Sequence, residues 1–161
     1  MHRRDFIVSA LMAGTTLGTG RAAMAAADGN FDVTRSEAEW REMLSEREFY
    51  VMREEGTEPA GSSPLDKVYG PGIYHCRGCD QKLYSSEHKY DSGTGWPSFW
   101  KALPDAIGTK EDRTLLFMVR TECHCDRCGS HLGHIFDDGP DPTGKRHCLN
   151  GVSLVFKPAE A

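Results

Sequence analysis

No stretch of this 161-residue chain is long and apolar enough to cross a bilayer. The most apolar run, Phe6 to Leu17, is broken by Ser, Gly and Thr and falls well short of the roughly 20 residues a span requires. Positive charge is in deficit as well: 19 Lys and Arg stand against 24 Asp and Glu, a formal net charge of −5. No basic stripe with interleaved aromatics is present, which argues against nucleic acid as a partner, because phosphate-backbone binding rests on clustered Lys and Arg. There is no internal repeat beyond two Cys-x-x-Cys pairs, and no low-complexity tract.

What is present suits one soluble domain with a sizeable core: 39% apolar residues and 27% charged ones. With 17 Gly and 8 Pro the chain favours short strands and turns over helix. Residues 1–27 read as an export signal, with Arg3-Arg4 at the start, a short apolar run, and small residues ending at Ala27. Paired arginines before an apolar segment resemble the twin-arginine type, which moves folded cargo and so suits a protein that carries metal before it crosses. An anchor helix is the competing reading, and the run is too short for it. The expected destination is the bacterial periplasm. Loss of Arg3, Arg4, Arg21 and Asp5 would leave 16 basic and 23 acidic residues, a net −7.

Residues 28–161 are expected to form a single domain. Ser36 with Glu39 is a capping-box pattern followed by Trp40, Met43 and Leu44 at helical spacing, so a short helical arm is predicted over about 36–46. Gly56 to Pro64 reads as an extended loop. From about Val68 the pattern becomes short strands broken by turns, with Gly78 placed where a cysteine knuckle turns tightly. Leu115–Val119 reads as a buried strand, and the last strand as 147–156. The fold class is mainly β: two antiparallel sheets in a sandwich-like domain, with a short N-terminal helix and a four-cysteine staple.

Four of the six cysteines form the pairs Cys76/Cys79 and Cys125/Cys128. Two such knuckles can close a tetrahedral zinc site, one ion per chain, with no open position, which makes it structural. Disulfide staples are the rival reading in an oxidising compartment, and the knuckle spacing favours zinc. Cys123, outside that spacing, reads as a small half-buried strand residue. Cys148 remains free in a strand-like run, two residues after Arg146. It is either a nucleophile, favoured by nearby positive charge, or a buried core thiol. His131 and His134 can be acid/base groups, ligands of a second metal with Asp137 or Asp138, or loop residues. Trp96, in a glycine-rich loop before Pro97, offers an aromatic face to an apolar methyl or thioether group, or else plugs the core.

Gly56-Thr-Glu-Pro59, Cys76-x-x-Cys79, Ser92-Gly-Thr-Gly-Trp-Pro-Ser-Phe99, Arg120-Thr-Glu122, Cys125-x-x-Cys128-x-x-His131-Leu-Gly-His134, Phe136-Asp-Asp-Gly-Pro140 and Arg146-x-Cys148-x-Asn150 together resemble the B-type methionine sulfoxide reductases, from about residue 36 to 156. The resemblance implies thiol-dependent reduction of methionine-R-sulfoxide in oxidised proteins or peptides and in free form, the repair chemistry of one sulfoxide epimer. It implies Cys148 as the attacking thiolate, His131 and His134 as proton donors or holders, and Asp138, Arg146 and Asn150 as orienting groups. Trp96 would receive the substrate methyl, and Cys76, Cys79, Cys125 and Cys128 would hold structural zinc.

The chain departs from this pattern in three places. Thr94 stands where many members carry a resolving cysteine, so an external thiol, thioredoxin-like or small, is expected to reduce the Cys148 sulfenic acid, with Cys123 the only uncommitted internal alternative. His147 and the Gly151-Val152 pair replace residues more usual beside the nucleophile. The export signal departs from the family's usual cytoplasmic setting. The expected molecule is a monomer. The competing reading is a non-catalytic zinc-knuckle module that binds protein.

Overall fold

Two serines organise the helical arm. In the computed structural model, which describes residues 29–115 and 118–160, helix α1 spans Glu37–Met43 and helix α2 spans Glu46–Arg53. Ser36 and Glu39 exchange side-chain and backbone hydrogen bonds, and Ser45 and Glu48 repeat the arrangement, so both helix starts have their orphan donors satisfied. The single helix expected over 36–46 is therefore two, because the backbone turns extended at Leu44 and the second capping box restarts it. Trp40, Leu44, Phe49, Val51 and Met52 are buried, whereas Met43, expected on the same apolar stripe, is exposed. The predicted export signal lies outside the described residues.

Among the described residues every strand pairs antiparallel, in two sheets. The first has three strands, with β1 (Gly72–Cys76) between β2 (Lys82–Ser85) and β9 (Leu154–Pro158). The second has six strands, in the order β3 (Lys89–Tyr90), β4 (Ser98–Phe99), β8 (Arg146–Leu149), β7 (His131–Phe136), β6 (Met118–Cys125) and β5 (Ile107–Leu115). The sheets meet through aromatic rings: Phe99 of the second lies 4.9 Å from Tyr74 and 4.6 Å from Tyr84 of the first, centroid to centroid. Leu83, Leu132, Leu149 and Leu154 complete this core, all fully buried. The expected mainly-β, two-sheet fold is the one found.

Two strand expectations change. The predicted strand 147–156 is broken at Asn150 by a single 3-10 turn over Gly151–Ser153, and the chain crosses from the second sheet to the first. Met118 and Val119, expected to be buried, are 56% and 54% exposed. They lie beyond the reach of β7, whose pairing with β6 runs from Thr121, so at that point β6 has only β5 beside it.

The four knuckle cysteines tie the sheets together. Cys76 ends β1 and Cys125 ends β6; each knuckle closes by a backbone bond, from Asp80 N–H to the Cys76 carbonyl and from Gly129 N–H to the Cys125 carbonyl. The positive-φ positions are Asp80 and Gly129, not Gly78. Gly78 is instead held small by packing: a methyl there would sit 3.1 Å from Trp40 and 3.2 Å from Met52.

Candidate active site

The period-2 alternation of a strand decides which side chains can meet, and here it does so across five strands. Ser98 on β4 pairs with Cys148 on β8, Cys148 with His134 on β7, His134 with Glu122 on β6, and Glu122 with Lys110 on β5. These five residues form one cross-strand row on one face of the sheet. A neighbouring row on that face holds Arg146 opposite Phe136, and Arg120 opposite Asp112. Directly opposed residues bring their Cβ atoms within about 5 Å, so the Cys148 thiol and the His134 ring share one site. Gly133 makes the approach possible: a Cβ there would lie 2.1 Å from the Cys148 carbonyl oxygen.

A pocket of about 150 Å³ opens over this row, and Trp96, Arg120, His134, Phe136, Cys148 and Asn150 are among its walls. Trp96 is fixed by its indole N–H, which donates to the Glu58 carbonyl at 3.0 Å. The Glu58 carboxylate in turn accepts from the Gly151 and Val152 N–H groups, and Glu58 N–H donates to Asn150 Oδ1 at 3.0 Å. Asn150 also donates from Nδ2 to the Leu132 carbonyl at 3.2 Å. The Gly56–Pro59 loop therefore clamps the tryptophan loop to the turn that follows Cys148. Arg146 is held by Asp138 through two bonds of 2.8 Å and lies over Phe136 at 4.3 Å. Asp138 thus reaches the site through Arg146, and its described bonds include none to either histidine.

Two carboxylates not singled out from the sequence support the histidines. Asp112 Oδ2 accepts from His134 Nε2 at 2.8 Å, and also pairs with Arg120. Burial alone would raise the Asp112 carboxyl, but bonds from Thr114, His134 and Arg120 hold it well below the usual carboxylate range. Glu122 accepts from His131 Nδ1 at 2.6 Å and from His124 Nδ1 at 2.9 Å. Burial again opposes ionisation, and the two imidazoles win, taking Glu122 down to about 2. His131 comes within 5.4 Å of His134, ring to ring, because a register shift in the β6–β7 pairing sets it opposite His124. His131 is fully buried, and its Nε2 has no hydrogen-bond partner. That ring borders a second, polar cavity of about 250 Å³, and His134 and Arg120 line both cavities.

The electrostatics suit a neutral resting pair. Burial raises the Cys148 thiol, against the pull of Thr94, Arg146 and Ser98. Burial lowers His134, and the bond to Asp112 restores only part of that loss. A thiol above its usual value beside an imidazole below its own can exchange a proton when a substrate supplies new partners.

The metal site is separate. Cys76 and Cys128 Sγ are 3.7 Å apart, Cys79 and Cys125 Sγ are 3.5 Å apart, and all four lie within 4.8 Å of one another. Zinc bound tetrahedrally at about 2.3 Å from each sulfur sets the sulfurs about 3.8 Å apart, so the four fit one zinc ion and leave it no open position. Cys125 is three residues along β6 from Glu122, about 10 Å from the row that holds Cys148. Cys123 pairs in the row of Gly133 and Leu149, which is the opposite, core-facing side of the sheet from Cys148.

Residues 44–158 match the family described as SelR domain. The peptide methionine sulfoxide reductase MsrB of Methanosarcina barkeri is 50% identical over 129 residues, covering 80% of this chain and 90% of that protein. The MsrB of Agrobacterium fabrum is 44% identical over 126 residues, covering 78% of this chain and 93% of its own length. The chloroplastic peptide methionine sulfoxide reductase B1 of Oryza sativa subsp. japonica is 46% identical over 128 residues; the match covers 80% of this chain and 60% of that longer protein.

Proposed function

This chain belongs to the SelR-domain family of B-type peptide methionine sulfoxide reductases, and we propose that it reduces methionine-R-sulfoxide, in proteins and as the free amino acid, through Cys148. The observation that carries the reading is the opposition of Cys148 and His134 across β7 and β8 at the floor of a pocket walled by Trp96. Trp96 and Phe136 present aromatic surface to the methyl and thioether portion of the substrate, and Asn150 and Arg120 leave polar groups for the S–O end.

Cys148 passes its thiol proton to His134, whose imidazolium is stabilised by Asp112. The thiolate forms a bond to the sulfoxide sulfur as His134 returns that proton to the oxygen. The new S–S bond and the substrate S–O bond then break as the protonated oxygen moves to the Cys148 sulfur, so that Cys148 becomes a sulfenic acid and methionine leaves. Methionine sulfur gains the two electrons that the cysteine sulfur gives up. Two external thiols, from a thioredoxin-like protein or a small thiol, then reduce the sulfenic acid, release water and become a disulfide. The four knuckle cysteines would hold zinc as a structural tie, which brings no reacting atom to the pocket.

We further propose that residues 28–161 act as one monomeric domain, exported to the periplasm by a twin-arginine signal at 1–27. Among the described residues no helix is long and apolar enough to cross a membrane. A non-catalytic zinc-knuckle role gives no use to a thiol and imidazole facing one another in an open pocket. The test uses separated R and S epimers of a blocked methionine sulfoxide with a dithiol reductant. Turnover of the R epimer alone, lost in Cys148→Ser, is expected; turnover of neither epimer by zinc-loaded, reduced protein contradicts the activity.

A further inference from the structure

Resting on Cys148 as the nucleophile, we infer that Thr94, Ser92 and Ser98 form a reversible hydroxyl relay that links the Cys148 sulfur to the Trp96 carbonyl and changes direction when the thiol ionises. The links are continuous. Thr94 Oγ1 lies 3.9 Å from Cys148 Sγ, Ser92 Oγ lies 2.8 Å from Thr94 Oγ1 and 2.7 Å from Ser98 Oγ, and Ser98 Oγ is 3.1 Å from the Trp96 carbonyl oxygen. Ser98 is fully buried, and it is the strand partner of Cys148.

Each hydroxyl carries one proton, and that fixes the direction of the chain in each state. With Cys148 as a thiol, its S–H donates to Thr94, Thr94 to Ser92, Ser92 to Ser98, and Ser98 to the Trp96 carbonyl. A thiolate only accepts. Thr94 must then donate to the sulfur, Ser92 to Thr94 and Ser98 to Ser92, and the Trp96 carbonyl loses its serine partner. Three bond rotations make the change, and no proton leaves any hydroxyl. Ser92 accepts a further bond from Thr94 N–H at 3.4 Å in both arrangements, so it remains a fixed pivot.

The relay delivers a donor to a thiolate in a half-buried setting where loss of solvent otherwise favours the thiol. It also ties the charge on Cys148 to the loop that presents Trp96 to the substrate. Thr94 touches the reacting sulfur and acts directly. Ser92 acts only through its two neighbours, and is a positioning residue.

The experiment is the pH dependence of iodoacetamide alkylation at Cys148, read by peptide mass in zinc-loaded full-length protein. It needs no turnover, so its failure is distinct from failure of the reductase reading. Thr94→Val is expected to raise the apparent thiol pKa by roughly half a unit to one unit, and Thr94→Ser to restore it. Ser92→Ala, which takes no atom from the sulfur's surroundings, is expected to raise it by several tenths of a unit. An unchanged value in Ser92→Ala beside a raised one in Thr94→Val would reduce the relay to a single contact and overturn it. Unchanged values in both would assign the hydroxyls to loop structure alone. Should Ser92→Ala disturb the loop, seen as a changed tryptophan emission, Ser92→Thr gives the second reading because it keeps the hydroxyl, and a pKa raised there as far as in Ser92→Ala counts against the relay.

Discussion

Cys123 and Cys148 leave opposite faces of the same sheet: Cys123 stands in the row of Gly133 and Leu149, and Cys148 in the row of His134 and Glu122. A disulfide needs Cβ atoms roughly 3.5–4.5 Å apart with facing geometry, which a sheet between them forbids. Burial also pushes the Cys123 thiol well above its usual value. Cys123→Ser is therefore expected to leave single-turnover rate and recycling by an external thiol within about twofold, with a stability cost of about 1 kcal/mol for a buried polar swap. Non-reducing peptide mapping after one turnover checks it; a Cys123–Cys148 peptide would contradict this assignment.

Asp112 is expected to matter to rate more than to binding. Its carboxylate fixes the His134 ring and favours the imidazolium that the proposed step forms. Asp112→Asn is predicted to lower kcat by about 10- to 100-fold with little change in KM, as expected when an orienting partner of an acid/base group is lost. His134 must be neutral to take the Cys148 proton and would titrate lower still in the variant, so the loss of rate as pH falls should set in at lower pH than in wild type. Steady-state pH profiles of the two proteins supply the comparison.

Stability should fall with acid in two windows. His147 is buried beside Tyr84, and burial, with Lys145 adding, takes it from 6.5 to about 4. Between those values the unfolded chain binds a proton that the folded one refuses, so stability is lost as pH falls from 6.5 to about 4. Glu122, taken from 4.5 to about 2, contributes stability that is full above 4.5 and lost as pH falls towards 2. Its share is at most on the order of 3 kcal/mol. Urea midpoints measured across pH should show both slopes. His147→Phe is expected to flatten the upper window while costing about 1 kcal/mol for the Tyr84 bond, and a wild-type slope retained in that variant would contradict the assignment.

The residues that meet at this site were legible in the sequence where one residue type marks a position alone. The Cys-x-x-Cys pairs, the uncommitted Cys148 and the Ser36 capping box each state a local requirement. The supporting acids were not. Asp112 lies between Glu111 and Arg113, and looks like a solvated charge until β5 pairs with β6 and brings it to His134 through Arg120. Glu122 stands in the Arg120-Thr-Glu motif, but its hold on two histidines depends on the register shift in the β6–β7 pairing. The break at Asn150 hides inside an apolar run because its cause is distant: the Asn150 side chain and backbone are tied to Leu132 and Glu58. Ser45 and Glu48 did announce the second helix, and the apolar periodicity through Leu44 masked them.

The most direct test of Cys148 as the only oxidisable centre is a single-turnover count without reductant. Zinc-loaded, reduced protein is mixed with excess methionine-R-sulfoxide, methionine is counted per chain, and sulfenic acid is trapped with dimedone. One methionine per chain, with the adduct on Cys148 alone, is the predicted result. Two methionines per chain, or an adduct or disulfide at any other cysteine, would contradict it.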